Sequence, residues 1–129
     1  MTITENFPKS VLIVDDDKFA QEILRQAFSA WGVADIRLAC NGLHAVRALD
    51  AMPKPPEVLI CDIFMPDMDG IEFIGELAKR QYQGGLVLVS GVNLEILEVA
   101  QTIAKHRGLH VLAMLVKPID LDFLQRVIR

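Results

Sequence analysis

Val11-Leu12-Ile13-Val14-Asp15-Asp16 sets a pattern that returns as Val58-Leu59-Ile60-Cys61-Asp62 and as Val111-Leu112-Ala113-Met114-Leu115-Val116-Lys117. Each is a short apolar run, rich in β-branched residues, that ends on a charge. Such runs read as strands buried on both faces, the pattern of a parallel sheet. A charge at the carboxyl end of a strand lies at the sheet edge, where open α/β folds bind ligands. Clustered carboxylates repel one another and resist desolvation, so they are tolerated mainly around a cation. The pattern therefore predicts a divalent metal, with an anion between it and the lysine.

Outward from these runs the chain alternates. Phe19, Ile23, Ala27, Phe28 and Trp31 repeat at helical spacing over Lys18 to Trp31, and Gly32 is placed to end that helix. Ile36 to Leu38 is a short strand. Asn41 can cap a second helix carrying Ala45, Val46 and Leu49, stopped by Pro53, Pro55 and Pro56. After Asp62, the loop Pro66, Asp67, Asp69, Gly70 leads into a helix expected to bury Ile71, Ile74, Leu77 and Ala78, with Asp69 as its cap. Gly84-Gly85 turns into a fourth strand, Leu86 to Ser90. Asn93 can cap a fourth helix, Leu94 to Arg107, ended by Gly108. Asp120 can cap a last helix, and one of Asp15, Asp16 and Asp17 is expected to cap the first. Five βα units with short connections make one doubly wound α/β domain with a five-stranded parallel sheet and right-handed crossovers.

Composition narrows the function classes. The chain has 129 residues, 52% of them hydrophobic, enough for one full core. No apolar run approaches the roughly 20 residues that span a bilayer, and residues 1–9 carry no signal-peptide core, so a cytoplasmic setting and no membrane partner are expected. A net charge of −4 without a basic block argues against direct nucleic-acid binding. Cys40 and Cys61 are too few for a disulfide framework, and Cys61 reads as a small core residue. His44, His106 and His110 have no metal-ligand spacing. The last helix reaches Arg129 without a glycine, proline or polar tail, which suggests that residues 1–129 are the N-terminal part of a longer protein.

The strand-end residues divide the chemistry. Asp62 is the candidate nucleophile, since a carboxylate can attack phosphorus once charge on both partners is neutralised. Asp16, with Asp15 behind it, would help hold Mg²⁺, together with Asp62 and a backbone carbonyl of the following loop. Ser90 can donate a hydroxyl hydrogen bond to a phosphoryl oxygen, and Lys117 offers a compact positive charge opposite the metal.

Val-Asp-Asp-Asp at 14–17, Asp-Ile-Phe-Met-Pro-Asp-Met-Asp-Gly at 62–70, Val-Ser-Gly at 89–91 and Lys-Pro at 117–118 resemble the receiver domain of two-component response regulators over residues 10 to 129. The resemblance implies a flavodoxin-like strand order 2-1-3-4-5 and a regulatory domain rather than an enzyme. It implies Asp62 as phosphoacceptor and Asp15 with Asp16 as the acidic pair at Mg²⁺. It further implies the Phe64 carbonyl as third ligand, Ser90 as switch hydroxyl, Lys117 as phosphate partner and a cis Lys117-Pro118 bond. The implied donor is a histidine kinase or histidine phosphotransfer protein, and the implied output is a change in the helix 4–strand 5–helix 5 surface. Met114 stands where the family often has an aromatic, so an inward-swinging ring cannot transmit the signal here. Segments 90–95 and 110–115 are similar to receivers that precede cyclic-di-GMP phosphodiesterase domains.

Two other functions use the same residues. One is a degenerate receiver kept as a constitutive docking module, disfavoured because a retired site has no need of buried charge. The other is a small Mg²⁺-dependent phosphatase, for which the chain offers no cap domain. The apolar arc of the fourth helix (Leu94, Ile96, Leu97, Val99, Ala100, Ile103, Ala104) is wider than one sheet face needs and predicts a dimer or output-domain contact. Phe64 and Val92, two residues beyond Asp62 and Ser90, cannot orient a water, so slow loss of the phosphoryl group is expected.

Overall fold

The computed structural model describes residues 7–65, 68–91 and 94–129. Strands β1 (Ser10–Val14), β2 (Asp35–Ala39), β3 (Val58–Asp62), β4 (Gly85–Ser90) and β5 (His110–Val116) alternate with helices α1 (Lys18–Ala30), α2 (Gly42–Ala51), α3 (Gly70–Lys79), α4 (Leu94–His106) and α5 (Leu121–Ile128). All strand pairs are parallel, in the order β2-β1-β3-β4-β5. This is the flavodoxin-like topology expected from the sequence.

Strand side chains alternate between two cores, as the period of two requires. Leu12, Val14, Leu59, Cys61, Leu86 and Leu88 face α2, α3 and α4, where they meet Phe73, Ile74, Leu77, Leu97, Ala100 and Ala104. Val11, Ile13, Val58, Ile60, Val87 and Val89 face the other way, against Leu24 and Phe28 of α1 and Leu124 and Ile128 of α5. Cys61 is fully buried, and burial pushes its thiol far up.

The caps follow the sequence. Asp17, Asn41, Asp69 and Asp120 each accept backbone N–H groups at the starts of α1, α2, α3 and α5. Gly32 and Gly108 take left-handed φ values of 89° and 83° at the ends of α1 and α4. The proposed α4 cap, Asn93, lies outside the described residues, as do Pro66, Asp67 and Val92.

Three expectations need correction. β5 is not buried on both faces: His110, Leu112 and Val116 are exposed, because an edge strand has a neighbour on one side only. Leu112 also falls in a register irregularity, Leu86 pairing with Val111 and Val87 with Ala113. On α1 the buried stripe is Gln21, Leu24 and Phe28, while Phe19 and Ile23 face water, Phe19 at 74% exposure. On α3 the fully buried residues include Phe73, whereas Ile71 and Ala78 are only partly buried. The α4 arc needs no such correction, for it keeps apolar surface outside the core: Leu97, Ala100 and Ala104 are buried, Ile96 and Ile103 partly so, and Leu94 and Val99 exposed.

Candidate functional site

The sheet continues for one rung past its last strand residues, and that rung builds the site. Asp15 N–H donates to the Ala39 carbonyl (3.0 Å), Ile63 N–H to Val89 (2.9 Å) and Lys117 N–H to Ser90 (3.0 Å). Asp15, Asp62, Ser90 and Lys117 are thereby set side by side at one edge. The Lys117-Pro118 bond is cis, as the resemblance implied.

Lys117 Nζ lies 2.9 Å from Asp15 Oδ2 and 3.0 Å from Asp62 Oδ2. The other oxygens are also held: Asp15 Oδ1 accepts from Asp17 N–H (2.9 Å) and Asp62 Oδ1 from Phe64 N–H (3.0 Å). Asp15 and Asp62 are 3% and 5% exposed, and Asp16 is exposed beside them. One carboxylate oxygen from each of Asp15, Asp16 and Asp62 falls within 4.8 Å of the others. A carboxylate trio of that size, with Asp16 facing solvent for entry, fits a hard divalent cation that keeps several waters.

Burial raises the Asp62 carboxyl above the usual carboxylate range. The Lys117 ammonium and the Phe64 N–H oppose that rise, and the charge on Asp15 adds to it. Burial alone would lower Lys117, but its two carboxylate partners outweigh this and hold the ammonium above its ordinary value. One lysine facing two buried carboxylates leaves net negative charge, which a second cation would balance.

Other expected site residues fall nearby. The Ser90 side chain is wholly buried at the end of β4. Phe64 follows Asp62 at the rim, its ring 47% exposed. The loop carrying it is drawn tight: Gly70 N–H donates to the Ile63 carbonyl (2.9 Å), and a Cβ on Gly70 would lie 2.7 Å from Ile63 Cα. Gly42 packs as closely on Met68, where a Cβ would meet the Met68 carbonyl oxygen at 2.6 Å.

One buried polar residue at this edge escaped the sequence reading. Gln21 of α1, 8% exposed, donates through Nε2 to the carbonyls of Asp15 (2.7 Å) and Ala39 (2.8 Å). Its signal was spacing: Gln21, Leu24 and Phe28 share a helix face, which makes Gln21 the polar member of an apolar stripe.

Beside Lys117, a groove of about 380 Å³ runs between α1 and the start of the β5–α5 loop, lined by Phe19, Ala20, Ile23, Leu24, Pro118 and Ile119.

Comparison with known proteins bears on the family and the fold. Residues 11–129 match the family model described as "Response regulator receiver domain". "Regulator of RpoS" of Escherichia coli K12 is 31% identical over 93% of this chain. A "Protein-glutamate methylesterase/protein-glutamine glutaminase 5" of Myxococcus xanthus is 36% identical over 68% of it. The chain spans about a third or less of those relatives, 34% and 25% of their lengths. A solved response regulator from Colwellia psychrerythraea superposes with a TM-score of 0.78 at 30% identity, covering 93% of both chains. The CheX-CheY-BeF3-Mg+2 complex from Borrelia burgdorferi gives 0.82 at 22% identity over 98% of this chain and 95% of the matched one, a likeness of fold. The chain belongs to the response regulator receiver family, a regulatory module. Among the described residues no helix is long and apolar enough to cross a membrane.

Proposed function

We propose that the chain is a phosphorylation-controlled switch in which Asp62 accepts a phosphoryl group from a phosphohistidine on a kinase or phosphotransfer protein. The observation that carries this is the single ammonium of Lys117 shared between Asp15 and Asp62, 2.9 and 3.0 Å away, next to a carboxylate trio able to hold a cation. An Asp62 oxygen attacks phosphorus, the bond from phosphorus to the donor nitrogen breaks, and the imidazole leaves with its electron pair. Asp15, Asp16, Asp62 and the Phe64 carbonyl would hold Mg²⁺. When bound, the ion offsets charge between the entering phosphoryl oxygens and the carboxylates. Lys117 then pairs with a phosphoryl oxygen in place of a carboxylate, and the Ser90 hydroxyl donates to another.

Lys117 belongs both to the site and to the apolar groove of Phe19, Ile23, Pro118 and Ile119, so a donor protein that docks over Asp62 has an apolar surface beside the site to rest on, while a small donor such as acetyl phosphate reaches Asp62 without it. Signal leaves through β5, which runs into Lys117, whose N–H bonds to the Ser90 carbonyl. It reaches the α4–β5–α5 surface, where Leu94, Val99, Leu112, Val116 and Phe123 are exposed to an output domain or a second copy. Met114, partly buried in the core shared with α4, repacks where an aromatic would swing.

With Mg²⁺ and acetyl phosphate, the chain is expected to gain one hydroxylamine-sensitive phosphoryl group and then stop. Asp62→Asn abolishes it, because an amide is not a competent nucleophile. Labelling of that variant at the wild-type rate overturns the assignment, and continued turnover of an external phosphoester shows a phosphatase instead.

A further inference from the structure

Asp15 is held at every polar atom, and one of its restraints comes from a residue outside the phosphoryl chemistry. Its N–H goes to Ala39, Oδ1 takes the Asp17 N–H, Oδ2 pairs with Lys117, and its carbonyl oxygen receives the Gln21 carboxamide at 2.7 Å. That carbonyl lies in the peptide plane joining Asp15 to Asp16. Fixing its direction fixes where the Asp16 backbone starts. Among the described residues, the Asp16 carboxylate makes no hydrogen bond of its own, so its placement depends on that plane. The same Nε2 also donates to Ala39 at 2.8 Å, anchoring the acid pair to the end of β2.

We propose that Gln21 is a positioning residue for the divalent cation: its buried amide, shared between the Asp15 and Ala39 carbonyls, holds the Asp15–Asp16 peptide in the orientation that lets both carboxylates face Asp62. A buried amide keeps this position only while both acceptors stay in place, because an unpaired amide in the core is costly. This rests on the proposed Mg²⁺ role of the acid pair and adds a residue that does not touch the ion. Partners of this kind typically change metal affinity by about 10–100-fold when removed.

Gln21→Met keeps the length and apolar volume of the side chain and deletes both hydrogen bonds. The Mg²⁺ concentration for half-saturation, followed by calorimetry, is expected to rise about tenfold. The rate of labelling by acetyl phosphate at saturating Mg²⁺ returns to within about twofold of wild type, since no phosphate-contacting group is lost. Leu24→Ala, on the same buried stripe, lowers the thermal midpoint yet leaves half-saturation unchanged, which separates positioning from packing. A Mg²⁺ half-saturation concentration for Gln21→Met no further shifted than that of Leu24→Ala overturns the proposal. In the unaltered chain, the Gln21 side-chain amide signals should move during Mg²⁺ titration with the midpoint of the Asp16 backbone amide. Gln21 signals that stay still overturn it without any variant. A wild-type chain that binds no Mg²⁺ overturns the site reading as well, whereas normal wild-type binding with an indifferent Gln21 overturns this inference alone.

Discussion

Two triads of one base and two acids occupy opposite ends of this domain. At the carboxyl edge of the sheet, Lys117 joins Asp15 and Asp62, both almost wholly buried. At the far end, Arg80 takes Asp50 of α2 in two hydrogen bonds of 2.9 and 3.1 Å and Glu76 of its own helix at 2.9 Å. Each centres on one base between two acids, although Lys79 also pairs with Glu76 at 3.2 Å, and the electrostatics are opposite. The Arg80 guanidinium draws the Asp50 and Glu76 carboxyls below their ordinary range, with Lys79 helping at Glu76. Burial does the reverse to Asp62. The exposed triad is self-sufficient, tying α2 to α3 with modest effect. The buried one keeps two carboxylates on a single ammonium, a net negative charge on which the proposed cation and phosphoryl group would act.

The largest test of this contrast is Lys117→Met. It removes the only base of the buried triad among the described residues while keeping the stem. Labelling by acetyl phosphate at saturating Mg²⁺ should fall by about 100-fold, the range seen when one preorganised donor to a developing charge is lost. Arg80→Met, the matched change at the other end, should leave labelling unaltered. Equal losses in the two variants would mean that Lys117 supports the fold rather than the phosphoryl group.

A smaller effect is expected at the rim. Hydrolysis of the phosphorylated state needs a water in line with the Asp62–phosphorus bond. Phe64 stands two residues past Asp62 with a ring that offers no hydrogen bond, and the residue is half-exposed. Phe64→Asn should speed dephosphorylation several-fold, on the scale of partial water orientation, with Mg²⁺ affinity nearly unchanged. Decay at the wild-type rate after removal of the donor would place water selection elsewhere.

Much of this contrast was legible in the chain. The buried triad announces itself because a charge closing an apolar run is improbable unless used, and Asp15, Asp62 and Lys117 each do so. Strand order and crossover sense follow from strict βα alternation joined to the resemblance. The exposed triad was not legible, since Asp50 and Arg80 are thirty residues apart and only the packing of α2 on α3 joins them. Helix faces were the weak point. Apolar periodicity favoured Phe19 and Ile23, yet α1 turns Gln21 inward because the Asp15 and Ala39 carbonyls need a donor there. The exposed phenyl ring instead lines the groove beside Lys117. A rule that sorts residues by polarity fails where two backbone carbonyls need a buried donor and an apolar ring stays exposed. Edge effects were lost in the same way: the β5 run is as apolar as β1, and nothing in it tells that it ends the order of the described strands.

The subtlest expectation concerns sign. A carboxyl raised by burial holds its proton more tightly in the folded chain than in the unfolded one. Its favourable contribution is present below the ordinary carboxylate range and is lost as pH rises through the raised value, so at neutral pH the ionised Asp62 costs stability. Asp50 is lowered by Arg80, so its contribution is present above the ordinary range and lost as pH falls through the lowered value. In metal-free buffer at neutral pH, Asp62→Asn should therefore raise the thermal midpoint, while Asp50→Asn lowers it slightly. The amide at position 62 can still accept the Phe64 N–H, and Lys117 keeps Asp15 at 2.9 Å, so little is lost beside the charge. Added Mg²⁺ reverses the first difference. It stabilises the wild-type chain by mass action through its carboxylate trio and does less for a variant lacking one ligand. Calorimetric scans of the three proteins, with and without Mg²⁺, give six midpoints that test both halves of the comparison. If Asp62→Asn lowers the midpoint without metal as Asp50→Asn does, the Lys117 bridge already satisfies the buried carboxylates. The two triads would then differ in place but not in kind.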